Sequence, residues 1–113
     1  ADWYGSSVAV SMQSAILPEK YSLEQAYPNP FNPVITIQYA LPEDSRVSLI
    51  IYDLQGRVAA ELVNDMKTAG YYSLIWNASG HSSGIYFVKM QAGLPSSRSG
   101  HSYIHTQKII LVK

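Results

Sequence analysis

From Val34 onward, apolar and polar side chains alternate with a period of two: Ile35, Ile37, Tyr39 and Leu41 fall on one side, Thr36 and Gln38 on the other. Successive side chains of a β-strand point to opposite faces, so this stretch reads as a strand with one buried face. Pro42-Glu43-Asp44-Ser45 supplies turn chemistry, and Val47, Leu49 and Ile51 then repeat the alternation up to Asp53-Leu54-Gln55-Gly56. The spacing predicts that these two strands pair as an antiparallel hairpin.

The same alternation returns further along. Tyr72, Leu74 and Trp76 alternate with Tyr71, Ser73 and Ile75 before a stop at Asn77-Ala78-Ser79-Gly80. A strand fits Ile85 to Ala92, with Tyr86, Val88 and Met90 inward, and a last one fits Thr106 to Val112. Arg57 to Met66 is ambiguous: Val58, Leu62 and Val63 are spaced for two helical turns, but Asn64 and Asp65 are poor helix formers. We read it as a strand followed by a loop over Asn64 to Gly70. Six or seven short strands with a turn signal every ten residues or so predict an all-β fold, an antiparallel β-sandwich of about seven strands.

The chain has 113 residues, enough for one domain, and its hydrophobic content of 47% against 14% charged residues supports a packed core. Eight basic residues balance eight acidic ones, which leaves no field to attract nucleic acid or an anionic membrane surface. No apolar run approaches the roughly 18 residues of a membrane span, so no membrane insertion is expected. Residues 1–20 are serine-rich, with Val8, Val10 and Met12 alternating, and read as a leader from an upstream domain that can add an edge strand. The domain proper is expected over residues 21–113.

Tyr27-Pro28-Asn29-Pro30-Phe31-Asn32-Pro33 carries three prolines, each fixing its own φ and restricting its predecessor. It cannot be a helix or a central strand; we read it as a rigid lead-in, with Asn29 closing a local turn and Phe31 filling one end of the core. Gly84 suits a turn with positive φ, and Tyr86 can bury its ring while its hydroxyl finds a backbone acceptor. At Asp53-Leu54-Gln55-Gly56-Arg57, Gly56 permits a left-handed turn and Arg57 can pair with Asp53.

These segments, with Ile37-Gln38-Tyr39-Ala40-Leu41-Pro42, Ala69-Gly70-Tyr71-Tyr72, Trp76-Asn77-Ala78-Ser79-Gly80 and the terminal Lys108-Ile109-Ile110-Leu111-Val112-Lys113, resemble one family. It is the type A C-terminal sorting domains of the type IX (Por) secretion system, which in turn resemble the immunoglobulin-like domain of flagellar hook-capping proteins. The resemblance covers roughly Tyr21 to Lys113. It implies an immunoglobulin-like, non-catalytic module of a larger exported protein of a Gram-negative bacterium, carried through the periplasm to the cell surface or medium. The implied partners are the outer-membrane secretion machinery and an upstream cargo domain. The sorting positions it implies are Pro28, Asn29, Pro30, Phe31, Asn32, Gly84, Tyr86, Lys108 and Lys113. The chain departs from the family over Leu94 to His105, where a Ser- and Gly-rich loop replaces a tight hairpin.

Nothing in the sequence organises catalysis, a cofactor or a metal. His81, His101 and His105 fall in loop-like sequence, and Glu19, Glu24, Glu43, Asp44, Glu61 and Asp65 fall in leader, turns or loop edges. Asn77-Ala78-Ser79 matches a glycosylation sequon but also makes a natural turn. More unusual is the outward parity of Ile50, Tyr52, Ile75, Phe87, Ile110 and Val112, where an antiparallel sheet is normally polar. We expect them to form an apolar patch for cargo, secretion machinery or a second copy of the chain. The rival reading is an accessory module that binds polysaccharide through exposed aromatic rings.

Overall fold

The computed structural model describes residues 17–93 and 103–113. Seven strands follow in order: β1 (Ser22–Leu23), β2 (Val34–Leu41), β3 (Ser45–Asp53), β4 (Val58–Lys67), β5 (Gly70–Asn77), β6 (Gly84–Gly93) and β7 (Tyr103–Leu111). They form two antiparallel sheets, one of three strands in the order β1-β2-β5 and one of four in the order β4-β3-β6-β7. The fold is an all-β sandwich, as the strand count and alternation predict. Among the described residues no helix is long and apolar enough to cross a membrane.

The parity read from the sequence sets the core. Ile35, Ile37, Tyr39 and Leu41 of β2 and Trp76 of β5 meet Val47, Leu49 and Ile51 of β3, with Tyr86, Val88 and Met90 of β6 and Ile109 and Leu111 of β7. All are buried, in a single cluster that fills the space between the sheets.

Pairing differs from the sequence reading in three places. β2 and β3 are not a hairpin: they lie in opposite sheets, and Pro42 to Asp44 carries the chain across. Alternation fixes which face is buried and leaves open which neighbour supplies the ladder. Ser45, where the crossing ends, is fully buried, and its hydroxyl donates to the Glu43 carbonyl (2.8 Å) and meets the Tyr21 hydroxyl (2.9 Å).

The expected loop at Asn64 is instead strand, because β4 continues to Lys67. Its register against β3 shifts twice, as Val63 faces Leu49 and Glu61 faces Ile50, then Ala60 faces Ile51 and Val58 faces Tyr52. Leu62 and Ala59 are the extra residues. Such bulges break the two-residue period, which is why the spacing resembles a helix. The last strand begins at Tyr103 rather than Thr106, so Tyr103, Ile104 and His105 belong to β7 and not to a loop. The leader's Val8, Val10 and Met12, and the loop positions 94–102 with His101, lie outside the described residues.

Because Leu49 is fully buried and Leu54 is 64% exposed, their truncations should separate cleanly. Leu49→Ala is expected to cost about 2–5 kcal/mol of unfolding free energy and Leu54→Ala within about 0.5 kcal/mol, measured by urea denaturation.

Candidate functional site

The sandwich brings one end of the proline-rich segment against the last strand. β7 is an edge strand, so alternate backbone groups face away from β6 and need partners. The Asn29 side chain supplies two: its Nδ2 donates to the Lys108 carbonyl (3.1 Å) and its Oδ1 accepts from the Ile110 N–H (3.0 Å). Phe31 supplies the next two through its backbone. Its N–H donates to the Ile110 carbonyl (2.8 Å), and its carbonyl accepts from the Val112 N–H (2.9 Å). Three outward groups of β7, and the Val112 N–H just past its end, are thereby satisfied by two residues some eighty positions away.

Phe31 itself is buried, its ring 5.8 Å from that of Trp76, whereas Pro28, Asn29, Pro30 and Asn32 are exposed. The peptide bonds preceding Pro28, Pro30 and Pro33 are cis. Asn29 does not close a local turn, as its sequence neighbours suggest; its partners are distant in sequence. A second tie was not legible. Gln107, inward and nearly buried, accepts from the Ala26 N–H (3.0 Å) and donates to the carbonyls of Leu23 and Glu24. The signal available was a glutamine at a core-parity position between His105 and Ile109.

Gly84 has φ +152°, and a Cβ there would meet nothing within 4 Å, so backbone conformation rather than space favours glycine. Tyr86 is buried against Trp76 and donates its hydroxyl to the Ser82 carbonyl (2.6 Å). Lys113 reaches the same loop: its Nζ donates to the carbonyls of Ser79 (2.7 Å) and His81 (2.6 Å), and its N–H donates to Ser83 Oγ (3.0 Å). The Lys108 side chain is exposed.

The six outward apolar residues divide between two faces. Ile50, Tyr52, Phe87 and Ile110 are half-buried on the outer face of the four-stranded sheet, where Tyr52 registers with Phe87 and Ile85 with Ile110, and exposed Val112 continues that side. Ile75 stands on the outer face of the other sheet, 65% exposed and in register with Thr36. Parity identified the outward residues but not the sheet that each belongs to.

The charged pair of this region, Asp53 and Arg57, closes the turn between β3 and β4. Asp53 accepts from the N–H groups of Gln55 and Arg57 and pairs with Arg57 Nε, each at 2.9 Å. The Arg57 N–H, then the guanidinium and the Gln55 N–H, hold its carboxyl below the usual aspartate value. A cleft of about 420 Å³ beside this turn is lined by Asp53, Arg57, His81 and Tyr86 among others. Its His81 ring lies against Trp76 and Tyr86, and its carboxylate is committed to the turn. Among the described residues no three His, Cys, Asp or Glu side chains cluster as metal ligands.

A family model described as the secretion system C-terminal sorting domain (Por secretion tail) matches residues 25–111. The chain belongs to this family. Among solved structures, the dimeric latent PorU of Porphyromonas gingivalis superposes with TM-score 0.63 at 20% identity, over 80% of this chain and 9% of that one. The soluble domain of PmoD from Methylocystis sp. ATCC 49242 (Rockwell) superposes with TM-score 0.53 at 14% identity, over 76% of this chain and 79% of that one. These likenesses show the fold. No curated protein matches in sequence. The matched span runs from just before the proline-rich segment to the end of β7, so this clasp of β7 by Asn29 and Phe31 lies within the sorting-domain match except for Val112, one residue past it.

Two measurements test this geometry. Asn29→Ala removes one hydrogen bond at the Ile110 amide, worth about 1 kcal/mol, and should speed its hydrogen exchange about fivefold while leaving Val88 in the middle of β6 unchanged. The Asp53 carboxyl, followed by NMR, should titrate below 3.8. Because its folded value is depressed, the stability it contributes is present above the ordinary aspartate pKa and lost as pH falls through the folded one. Arg57→Ala should raise that midpoint only part of the way, since the backbone N–H groups of Gln55 and Arg57 remain.

Proposed function

We propose that this secretion-associated domain acts, without catalysis of its own, as the sorting signal of a larger exported protein. In this reading, outer-membrane secretion machinery of the type IX kind reads the folded domain and moves the attached cargo from the periplasm to the surface or medium of a Gram-negative bacterium. The observation that carries it is the clasp: Asn29 and Phe31 hold β7 in place, so the proline-rich motif and the terminal strand are presented together as one unit. The family match over residues 25–111 supports the same reading. An immunoglobulin-like assignment is supported by two antiparallel sheets whose strands interleave along the sequence, β1, β2 and β5 in one and β3, β4, β6 and β7 in the other.

Export of a fluorescent reporter fused to the domain, in a bacterium with a working type IX system, tests the proposal. The intact chain should deliver reporter to the surface or medium. Deletion of Lys108 to Lys113 should retain it in the periplasm, and Asn29→Ala should lower delivery while the domain stays folded by circular dichroism. Periplasmic retention of the intact fusion would sink the reading.

A further inference from the structure

The four sheet edges are treated differently. β7 is clasped at Lys108 to Val112 by Asn29 and Phe31, and β1 is only two residues long. β4 carries Glu61, Asp65 and Lys67 and two register shifts, the devices that keep an edge from pairing with another chain. Among the described residues β5 has none of these. Its eight residues, Gly70–Asn77, contain no charge and no proline, and its register against β2 runs without a shift.

The hydrogen-bonding parity of this edge follows from β2. Thr36 exchanges both backbone bonds with Tyr27, and the Gln38 carbonyl accepts from the Glu24 N–H, so even-numbered β2 residues face β1 and odd-numbered ones face β5. Their partners on β5 are Tyr72, Leu74 and Trp76. Tyr71, Ser73 and Ile75 therefore direct their N–H and carbonyl groups to the open side, where no partner exists among the described residues. Tyr71 at 66% and Ile75 at 65% are also the most exposed large hydrophobic residues described.

This edge is complementary to itself. Place Ser73 opposite Ser73 of an antiparallel second copy, and Tyr71 of each falls opposite Ile75 of the other, with all three outward residues in hydrogen-bonded pairs. Aromatic against β-branched is a favourable cross-strand pair, and on the inner face Tyr72 lies opposite Leu74, both half-buried in the single chain. We infer that β5 is a dimerisation edge, at which two copies of this chain join their three-stranded sheets into one about a twofold axis through Ser73. The closed twofold consumes both open edges, so assembly stops at two. The inference does not depend on the sorting function.

Sedimentation of the full 113-residue chain over a range of concentrations tests it. A monomer–dimer equilibrium is expected, weakened about tenfold or more by Ile75→Lys, which places two like charges beside the junction. Ser73→Pro removes an outward N–H without touching a bond to β2 and should weaken it likewise, so loss of folding in one variant leaves the other as a test. The chain has no cysteine, so Ser73→Cys gives a clean reporter. Mild oxidation should crosslink that variant between copies and leave Gln38→Cys, one strand back from the axis, uncrosslinked. A native chain that stays monomeric, a dimer that both edge variants leave unchanged, or equal crosslinking at the two positions would overturn the inference.

Discussion

The outer edge of β7 is where the two halves of the sandwich are tied to each other. An edge strand leaves a row of backbone donors and acceptors that must meet water or protein. Here the proline-rich segment meets them, Phe31 bridging Leu111 of β7 in parallel, and the same segment is anchored to the other sheet: Tyr27 bridges Thr36 of β2, and the Ala78 N–H, just past β5, donates to the Pro33 carbonyl. One short stretch therefore spans from sheet to sheet on backbone hydrogen bonds. The three prolines suit that role for the reason that they exclude a regular strand: with φ fixed and few N–H groups, the segment can lie along β7 and touch it only where Asn29 and Phe31 allow.

Packing depends on this tie as well. Phe31, whose backbone donates and accepts along β7, has its ring buried beside Trp76, which in turn packs against Tyr86. Gln107 repeats the logic one turn of the pleat earlier, using a nearly buried amide to satisfy backbone groups of Leu23, Glu24 and Ala26. A buried amide with its hydrogen bonds made is tolerable and would be costly with any of them missing, so β7 is specified in register as well as held.

What could be read from the sequence was whatever is local. The inward set Ile35, Ile37, Tyr39 and Leu41, and Val47, Leu49 and Ile51 after it, follows from a two-residue period that needs no knowledge of the neighbouring strand. Pairing is not local, so β2 and β3 look like a hairpin although the chain changes sheets between them, and Ile75 looks adjacent to Phe87 although the core lies between. β4 was obscured by its bulges, whose extra residues Ala59 and Leu62 put Val58, Leu62 and Val63 at helical spacing. Asn29 was recognisable as a motif residue, but the ends of its hydrogen bonds, at Lys108 and Ile110, could come only from the folded chain.

The motif residues thus separate by what their polar groups are already doing. Asn29 has both ends of its amide engaged, Tyr86 has given its hydroxyl to Ser82, and Lys113 has its ammonium on two carbonyls. A group committed to the fold must break that commitment to bind anything else, at the cost of leaving its former partner unsatisfied. The faces of Pro28, Pro30 and Asn32 and the side chain of Lys108 are exposed and make no such hydrogen bond among the described residues. In the sorting reading proposed above, a domain of zero formal net charge supplies no net field to draw in a partner. That reading puts discrimination at contact distance, in the shape of the proline-rich segment that the Asn29 and Phe31 hydrogen bonds hold along β7.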